Sequence, residues 1–299
     1  MNLWEEIVKS IDPGDRLIRS AALTGGVSAE VTMLEIAKTD GRKEKLVVRQ
    51  HGAADRSRNP QIAQDEFRLL RGLHAAGLPV PRPIFCAGTE APKPYVVTEF
   101  VEGQVDMSPV NLIAAVESMA DTLMDIHQVD WSRYGLHFLP KQTDCCAALL
   151  GKQSAQPDES LQETLIRGIL AKTWPLPHAN KDVLLHGDYW PGNLLWNEGR
   201  LAAVMDWEDA ALGDPLFDLA NGRLEVLWAF GEDAMQRFTK RYQLRFPQLD
   251  YSLLPCFDLM AALKPAGGLS NWGLEPEIER SMRERHRWFT AQAIGQWNG

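Results

Sequence analysis

His186–Gly187–Asp188–Tyr189–Trp190–Pro191–Gly192–Asn193, followed downstream by Asp206–Trp207–Glu208, decides how this chain is read. An Asp is followed five positions later by an Asn, and thirteen positions after that by a second Asp. Phosphoryl transfer needs groups of this kind in this order. One carboxylate orients an attacking hydroxyl and receives its proton; an amide and a second carboxylate hold magnesium on nucleotide phosphates. Asp188 is therefore the candidate base, and Asn193 and Asp206 are the candidate metal ligands. Magnesium suits such a set, because it takes oxygen ligands and binds through few protein groups. The flanks agree. Val183–Leu184–Leu185 runs apolar into His186, and Leu194–Leu195–Trp196 and Leu201–Ala202–Ala203–Val204–Met205 read as strands around a turn at Asn197–Glu198–Gly199. A hairpin of that kind brings Asn193 and Asp206 to neighbouring strand ends.

Taken with Gly213–Asp214–Pro215–Leu216–Phe217–Asp218–Leu219–Ala220, the HGDxxxxN and DWE stretches resemble the aminoglycoside phosphotransferase and choline kinase superfamily. The resemblance implies an α+β, bilobal protein-kinase-like fold, with a small β-rich N-terminal lobe and a larger, mainly helical C-terminal lobe. It implies transfer of the γ-phosphoryl group of ATP or GTP, with magnesium, to a hydroxyl of a small molecule. Protein kinases are a poorer match: they carry Arg where this chain has Gly187 and DFG where it has Asp206–Trp207–Glu208. They also need a long activation segment, whereas Asp214 follows Asp206 by eight positions. The same resemblance makes His186, Asp214 and Asp218 structural residues that hold the catalytic loop, and His127 a loop anchor. Glu208 stays open between a second metal, a cationic substrate and a solvated carboxylate.

Upstream, Leu23 to Ile36 reads as strand, glycine turn and strand, with Gly25 and Gly26 leaving backbone amides free to fold over phosphates. Beside the kinase glycine loop it reads T-x-G-x-x-A-x-V: the middle glycine and Val31 are present, and Thr24 and Ala29 replace the outer glycines. Lys45 to Gln50 reads as a strand. Side chains alternate along it, so Val47 and Arg49 share a face. This matches the kinase pattern, and the resemblance then implies that Val47 is the apolar roof over a base and Arg49 the phosphate-binding cation, in place of the usual Lys. Glu66, on a helix expected from Gln61 to Gly77, is the preferred partner for Arg49, with Asp65 as competitor. Val80 to Ile84 reads as rigid connection. Pro94 to Gly103 reads as a strand entering a linker, where backbone groups from Glu99 to Val101 would pair with the base. The expected boundary places residues 1–101 in the nucleotide-binding lobe and 102–299 in the catalytic and substrate-binding lobe.

Composition narrows the rest. With 45% hydrophobic and 24% charged residues the chain is an ordinary globular protein. Its net charge of −9 argues against general nucleic-acid binding. The N-terminal residues lack a signal-peptide pattern, no apolar run approaches a membrane span, and four cysteines, two adjacent, do not suggest a disulfide framework. A cytoplasmic protein without a membrane partner is the expectation. A small hydroxylated substrate is the expected partner; its identity and the oligomeric state are not legible. A non-catalytic nucleotide-binding regulator, suggested by Arg49 and the thin glycine loop, is the principal rival. A metallohydrolase built on His186 and Asp188 is disfavoured, since no H-x-H or HExxH cluster accompanies them.

Overall fold

A computed structural model describes residues 2–23, 29–89, 91, 93–152 and 156–297. The chain divides into two units, one of Met1–Gly103 with Ser132–Phe138 and Ala202–Met205, the other of Gln104–Trp131, Leu139–Leu201 and Asp206–Gly299.

The first unit opens with α1 (Leu3–Ile11), whose start is fixed by reciprocal bonds between Asn2 and Glu5. Then come β1 (Arg16–Ala22), β2 (Ala29–Ala37), β3 (Lys43–His51), α2 (Ala53–Arg58), α3 (Ile62–Ala75), β4 (Pro83–Ala87) and β5 (Tyr95–Glu99). The strands form one antiparallel sheet in the order β1-β2-β3-β5-β4. Alternation along β3 divides its residues between two faces. Leu46 and Val48 are buried in a core with Ile7 and Val8 of α1, Leu34, Ile36 and Val97. Val47 and Arg49 therefore face the other way and are only half-buried. The register sets Val31 and Val96 on either side of Arg49.

One reading of the sequence changes here. The segment taken as rigid connection runs into β4, which starts at Pro83. Proline lacks the N–H a central strand must donate, but β4 is an edge strand and Pro83 its first residue, where that loss is tolerated. The two prolines hid the strand.

The rest of the chain forms α4 (Leu112–His127), α5 (Gln142–Gly151), α6 (Glu163–Thr173), β6 (Val183–Leu185), β7 (Leu194–Asn197), β8 (Arg200–Val204), β9 (Ala211–Gly213), α7 (Leu216–Phe230), α8 (Glu232–Arg245), α9 (Leu254–Leu263) and α10 (Pro276–Gln296), all in the second unit except β8 from Ala202 onward. Strands β6 and β9 pair antiparallel, and β7 and β8 form a second two-stranded sheet. Every residue of α9 is buried. Arg223 of α7 forks onto Asp258 of α9 at 3.0 and 3.1 Å and reaches Thr239 of α8 at 2.7 Å, tying three helices together. Helices α4 and α8 run parallel, joined by Glu117–Arg237, Asp121–Arg241 and Asp125–Arg245 at 2.8–3.0 Å. These pairs are exposed, so each adds only ~0.2–1 kcal/mol; burial of the apolar faces holds the helices.

Candidate active site

The segment after β6 is suspended from α7. Asp218, in the first turn of α7 and fully buried, accepts the backbone N–H of His186 at 2.6 Å and of Gly187 at 2.9 Å. His127, the last residue of α4, lies 3.4 Å from the same carboxylate and 2.6 Å from the Tyr242 hydroxyl of α8. Burial alone would raise the Asp218 pKa. Its bonds and attraction to His127, with His186 adding to them, outweigh that penalty and hold it below the ordinary carboxylate value. Asp214 accepts the Leu216 N–H at 2.9 Å and the Asn180 amide at 3.2 Å, fastening the start of α7.

His186 is wholly buried, its ring 4.5 Å from that of Trp207. Its Nδ1 accepts the Asp188 N–H at 3.2 Å, so its ring props the loop. Gly187 is required at its position. It sits at φ +84, and a Cβ there would stand 2.0 Å from the Asp209 carbonyl oxygen. No larger side chain, the protein-kinase Arg included, fits this path. Gly187→Ala is expected to lose at least ~2 kcal/mol, from the left-handed conformation and the displaced Asp209 backbone together. Gly199→Ala is the control. That glycine has φ +74 and nothing within 4 Å of a new Cβ, so only the ~1 kcal/mol conformational part applies. Equal melting temperatures for the two variants would remove the steric argument.

Asp188 projects from this loop with 40% of its side chain exposed. The Asn193 Nδ2 donates to its backbone oxygen at 2.9 Å and to its Oδ2 at 3.3 Å. With Nδ2 committed to Asp188, the Asn193 carbonyl oxygen is the atom left to serve a cation. Asn193 immediately precedes β7, and Asp206 stands two residues past β8. Asp206 is held at φ +59, a left-handed conformation costing a non-glycine residue on the order of 1–3 kcal/mol. An amide oxygen and a carboxylate are donors magnesium accepts, and phosphates and water can complete its shell. Among the described residues no group of three or more His, Cys, Asp or Glu forms a metal cluster. Glu208 is exposed.

Glu225 of α7, part-buried, belongs to the same neighbourhood. Burial and the nearby Asp188 carboxylate push its pKa up to about 8, with Lys264 opposing. The folded state therefore keeps a proton that the unfolded chain loses near the ordinary value of 4.5, and stability falls as pH rises from there to about 8. Melting curves across that range should show Glu225→Gln declining less steeply than the parent. Parallel profiles would refute the protonated state.

In the first unit, Arg49 Nη1 lies 3.3 Å from Glu66 Oε1. His51 Nε2 lies 2.9 Å from Glu66 Oε2. Burial opposes the Glu66 charge, but Arg49 and His51 together hold its pKa below the usual value. Asp65 pairs instead with Asn59 and Arg68. Val31 lies across from Arg49 in the sheet. Glu99 closes β5; its N–H donates to the Arg82 oxygen at 2.9 Å and its carboxylate accepts the Arg82 N–H at 3.1 Å. Beyond Glu99, the Phe100 N–H donates to the Lys45 oxygen at 3.1 Å, and Val101 follows it in the chain. Gly25 and Gly26 lie outside the described residues.

Sequence reasoning missed three groups. His51 stands two residues beyond Arg49 on β3, and period-two alternation would have put it on the same face. Asn221 lies three residues past Asp218, so helical spacing would have set it beside the loop. Lys264 ends α9, a lone cation after ten buried residues. Further along the helical region, Trp228 is core, donating to the Met282 oxygen at 3.0 Å, and Trp272 is half exposed against it.

Comparison with known proteins adds to this geometry. Acyl-CoA dehydrogenase family member 11 of Rattus norvegicus is 30% identical over 182 residues, covering 54% of this chain and 23% of that protein. The chain thus spans about a quarter of the length of the first curated relatives it matches. Protein LicA of Haemophilus influenzae is 25% identical over 205 residues, 66% of this chain and 55% of that one. Among solved structures, a thermostable mutant of aminoglycoside phosphotransferase APH(4)-Ia in ternary complex with AMP-PNP and hygromycin B superposes with a TM-score of 0.69. Its identity is 18%, over 99% of this chain and all of that one. A GDP complex of an aminoglycoside 2'-phosphotransferase-IIIa mutant gives 0.65 at 16% identity, over 98% of this chain and 94% of that one. The fold is that of the kinase-like aminoglycoside phosphotransferases, a β-sheet N-terminal region followed by a helical C-terminal region. No helix among the described residues is long and apolar enough to cross a membrane. The sequence model of the phosphotransferase enzyme family, APH, matches residues 22–250, most of the chain including the loop from His186 to Asn193, and the chain belongs to that family.

Proposed function

We propose that this phosphotransferase moves the γ-phosphoryl group of ATP or GTP to a hydroxyl of a small molecule. The observation that carries the reading is the loop from His186 to Asn193: its backbone is immobilised by Asp218 while the Asp188 carboxylate stays open to solvent. Phosphoryl transfer asks a protein for position and charge rather than for a covalent partner, and a rigid loop presenting one accessible carboxylate answers that need. Asp188 accepts the acceptor's hydroxyl proton and aims its oxygen. Asn193 and Asp206 would hold magnesium, which when bound neutralises charge on the phosphates. Arg49, steadied by Glu66 and His51, binds phosphate oxygens; its planar fork can serve carboxylate and phosphate together. Val31 and Val47 supply the apolar surface against the base, Glu99 and Val101 the backbone groups at its edge, and Gly25 and Gly26 the amides over the phosphates. Residues 1–101 form the nucleotide-binding part and 102–299 the catalytic and acceptor part of a cytoplasmic enzyme that uses neither nucleic acid nor membrane.

The test is ATP and GTP consumption, with magnesium, against a panel of hydroxylated small molecules that includes aminoglycosides and choline. Phosphorylated product from one acceptor class supports the reading. Nucleotide binding with neither product nor phosphate release would favour a regulator. The Arg49 assignment has its own check by calorimetry. Arg49→Ala should weaken ATP by at least about tenfold, a charge-assisted bond being worth ~1.5–3 kcal/mol, and leave adenosine within about twofold. Arg49→Lys restores the charge without the fork and should recover part of the loss. Unchanged ATP affinity in Arg49→Ala would make Arg49 a strand residue without a phosphate role.

A further inference from the structure

We propose that Lys264 is the positioning residue of Asp188, an assignment that rests on the phosphotransfer reading above. The Lys264 ammonium donates to the Gly187 carbonyl at 2.7 Å and to the Asn221 Oδ1 at 2.9 Å, and stands 3.8 Å from the Asp188 Oδ1. Asn221 in turn donates its Nδ2 to the Tyr189 carbonyl at 3.3 Å. The residues before and after Asp188 are thus bound to α7 through one linked pair, Lys264 and Asn221. Asp218 holds the loop by its N–H groups; Lys264 and Asn221 hold it by its carbonyls.

The chemistry of the ammonium explains why it sits there. Lysine offers three N–H donors and no acceptor, and its compact charge is strongly hydrated. The side chain is 29% exposed, and its ammonium spends two donors on fixed protein oxygens in place of water. Two donors go to Gly187 and Asn221, and the Asp188 carboxylate is the anion nearest the third. The Phe217 ring lies 5.6 Å away and closes the apolar side. The segment His186 to Asn193 contains no Lys or Arg, so it has no cation of its own to restrain its carboxylate. The chain supplies one from 77 residues downstream, at the end of the buried helix α9 and beyond the residues 22–250 matched to the family. Lys264 reaches the reaction only through Asp188, so it positions and does not itself catalyse.

The test is a double-mutant cycle read by phosphate release from magnesium-ATP with water as acceptor, alongside nucleotide affinity by calorimetry. Lys264→Gln keeps two N–H donors and removes the charge. It should lower turnover at saturating ATP by at least about tenfold, in keeping with the cost of displacing a catalytic group, and leave ATP affinity within about twofold. Lys264→Arg should turn over at least about threefold faster than Lys264→Gln, since the cation returns on a longer stem. In the Asp188→Asn background, Lys264→Gln should change turnover by less than about twofold, because nothing is left to position. The assignment is overturned if Lys264→Gln turns over like the parent, if the tenfold loss persists in the Asp188→Asn background, or if Lys264→Arg is no better than Lys264→Gln. Asp188→Asn with full turnover would instead remove the phosphotransfer reading beneath it.

Discussion

Asp188→Ala is expected to lower turnover by about 100- to 10,000-fold, the usual worth of a positioned general base, while melting temperature and nucleotide affinity stay close to the parent's. The geometry separates the two effects. What fastens the loop at this residue is backbone: the Asp188 N–H donates to His186 Nδ1 and its carbonyl accepts from Asn193. Alanine retains both groups. The carboxylate removed is 40% exposed, so no buried cavity opens. Lys264 and Asn193 each lose one contact and keep stronger ones, to Gly187 and Asn221 for the first and to the Asp188 carbonyl for the second. A variant that turns over within about threefold of the parent would take the base role from Asp188; one that also melts well below it would mean the side chain supports the loop.

How much of this was legible depended on whether a residue's partner is close in sequence. The spacing of Asp188, Asn193 and Asp206 is a local signal, and the strands that carry these residues have bounds within one or two residues of those expected. Val47 and Arg49 on one face followed from period-two alternation; the choice of Glu66 over Asp65 came from the ion pair that the resemblance implies. Burial and partners could not be read. That His127 meets both Tyr242 and Asp218 joins three helices whose residues lie up to 115 positions apart. Lys264 is invisible for the same reason: its alkyl stem ends an apolar run, and only the folded chain sets its ammonium beside Gly187. The strand at Pro83 was hidden because proline's local meaning, a break, is overridden at a sheet edge. The acceptor is the least legible part. Glu225 lies on α7, whose helical pattern is ordinary, and its relation to Asp188 is a matter of packing.

Magnesium dependence gives the second large effect. Nucleotide affinity of the parent should rise with magnesium, and Asp206→Asn should abolish that rise and reduce turnover at least about a hundredfold. Neutralising charge on the phosphates is worth several kcal/mol, and each ~1.4 kcal/mol is a tenfold change. Asparagine keeps the shape and one oxygen but removes the anion. The ion would then meet two neutral amide oxygens, that of Asn193 and that of the substituted side chain, where a divalent cation needs at least one carboxylate to compete with water. The backbone makes the test cleaner than usual. Asp206 sits at φ +59, and asparagine tolerates that left-handed conformation as well as aspartate does, so the substitution adds no conformational cost. Asp206→Ala is the contrasting variant: it loses the same charge but should also destabilise the fold, because alanine has no polar side chain to steady a left-handed backbone. Calorimetry with and without magnesium, paired with melting curves, separates the two. If the parent binds nucleotide equally well in both conditions, Asp206 is not a metal ligand, and its left-handed backbone needs another explanation.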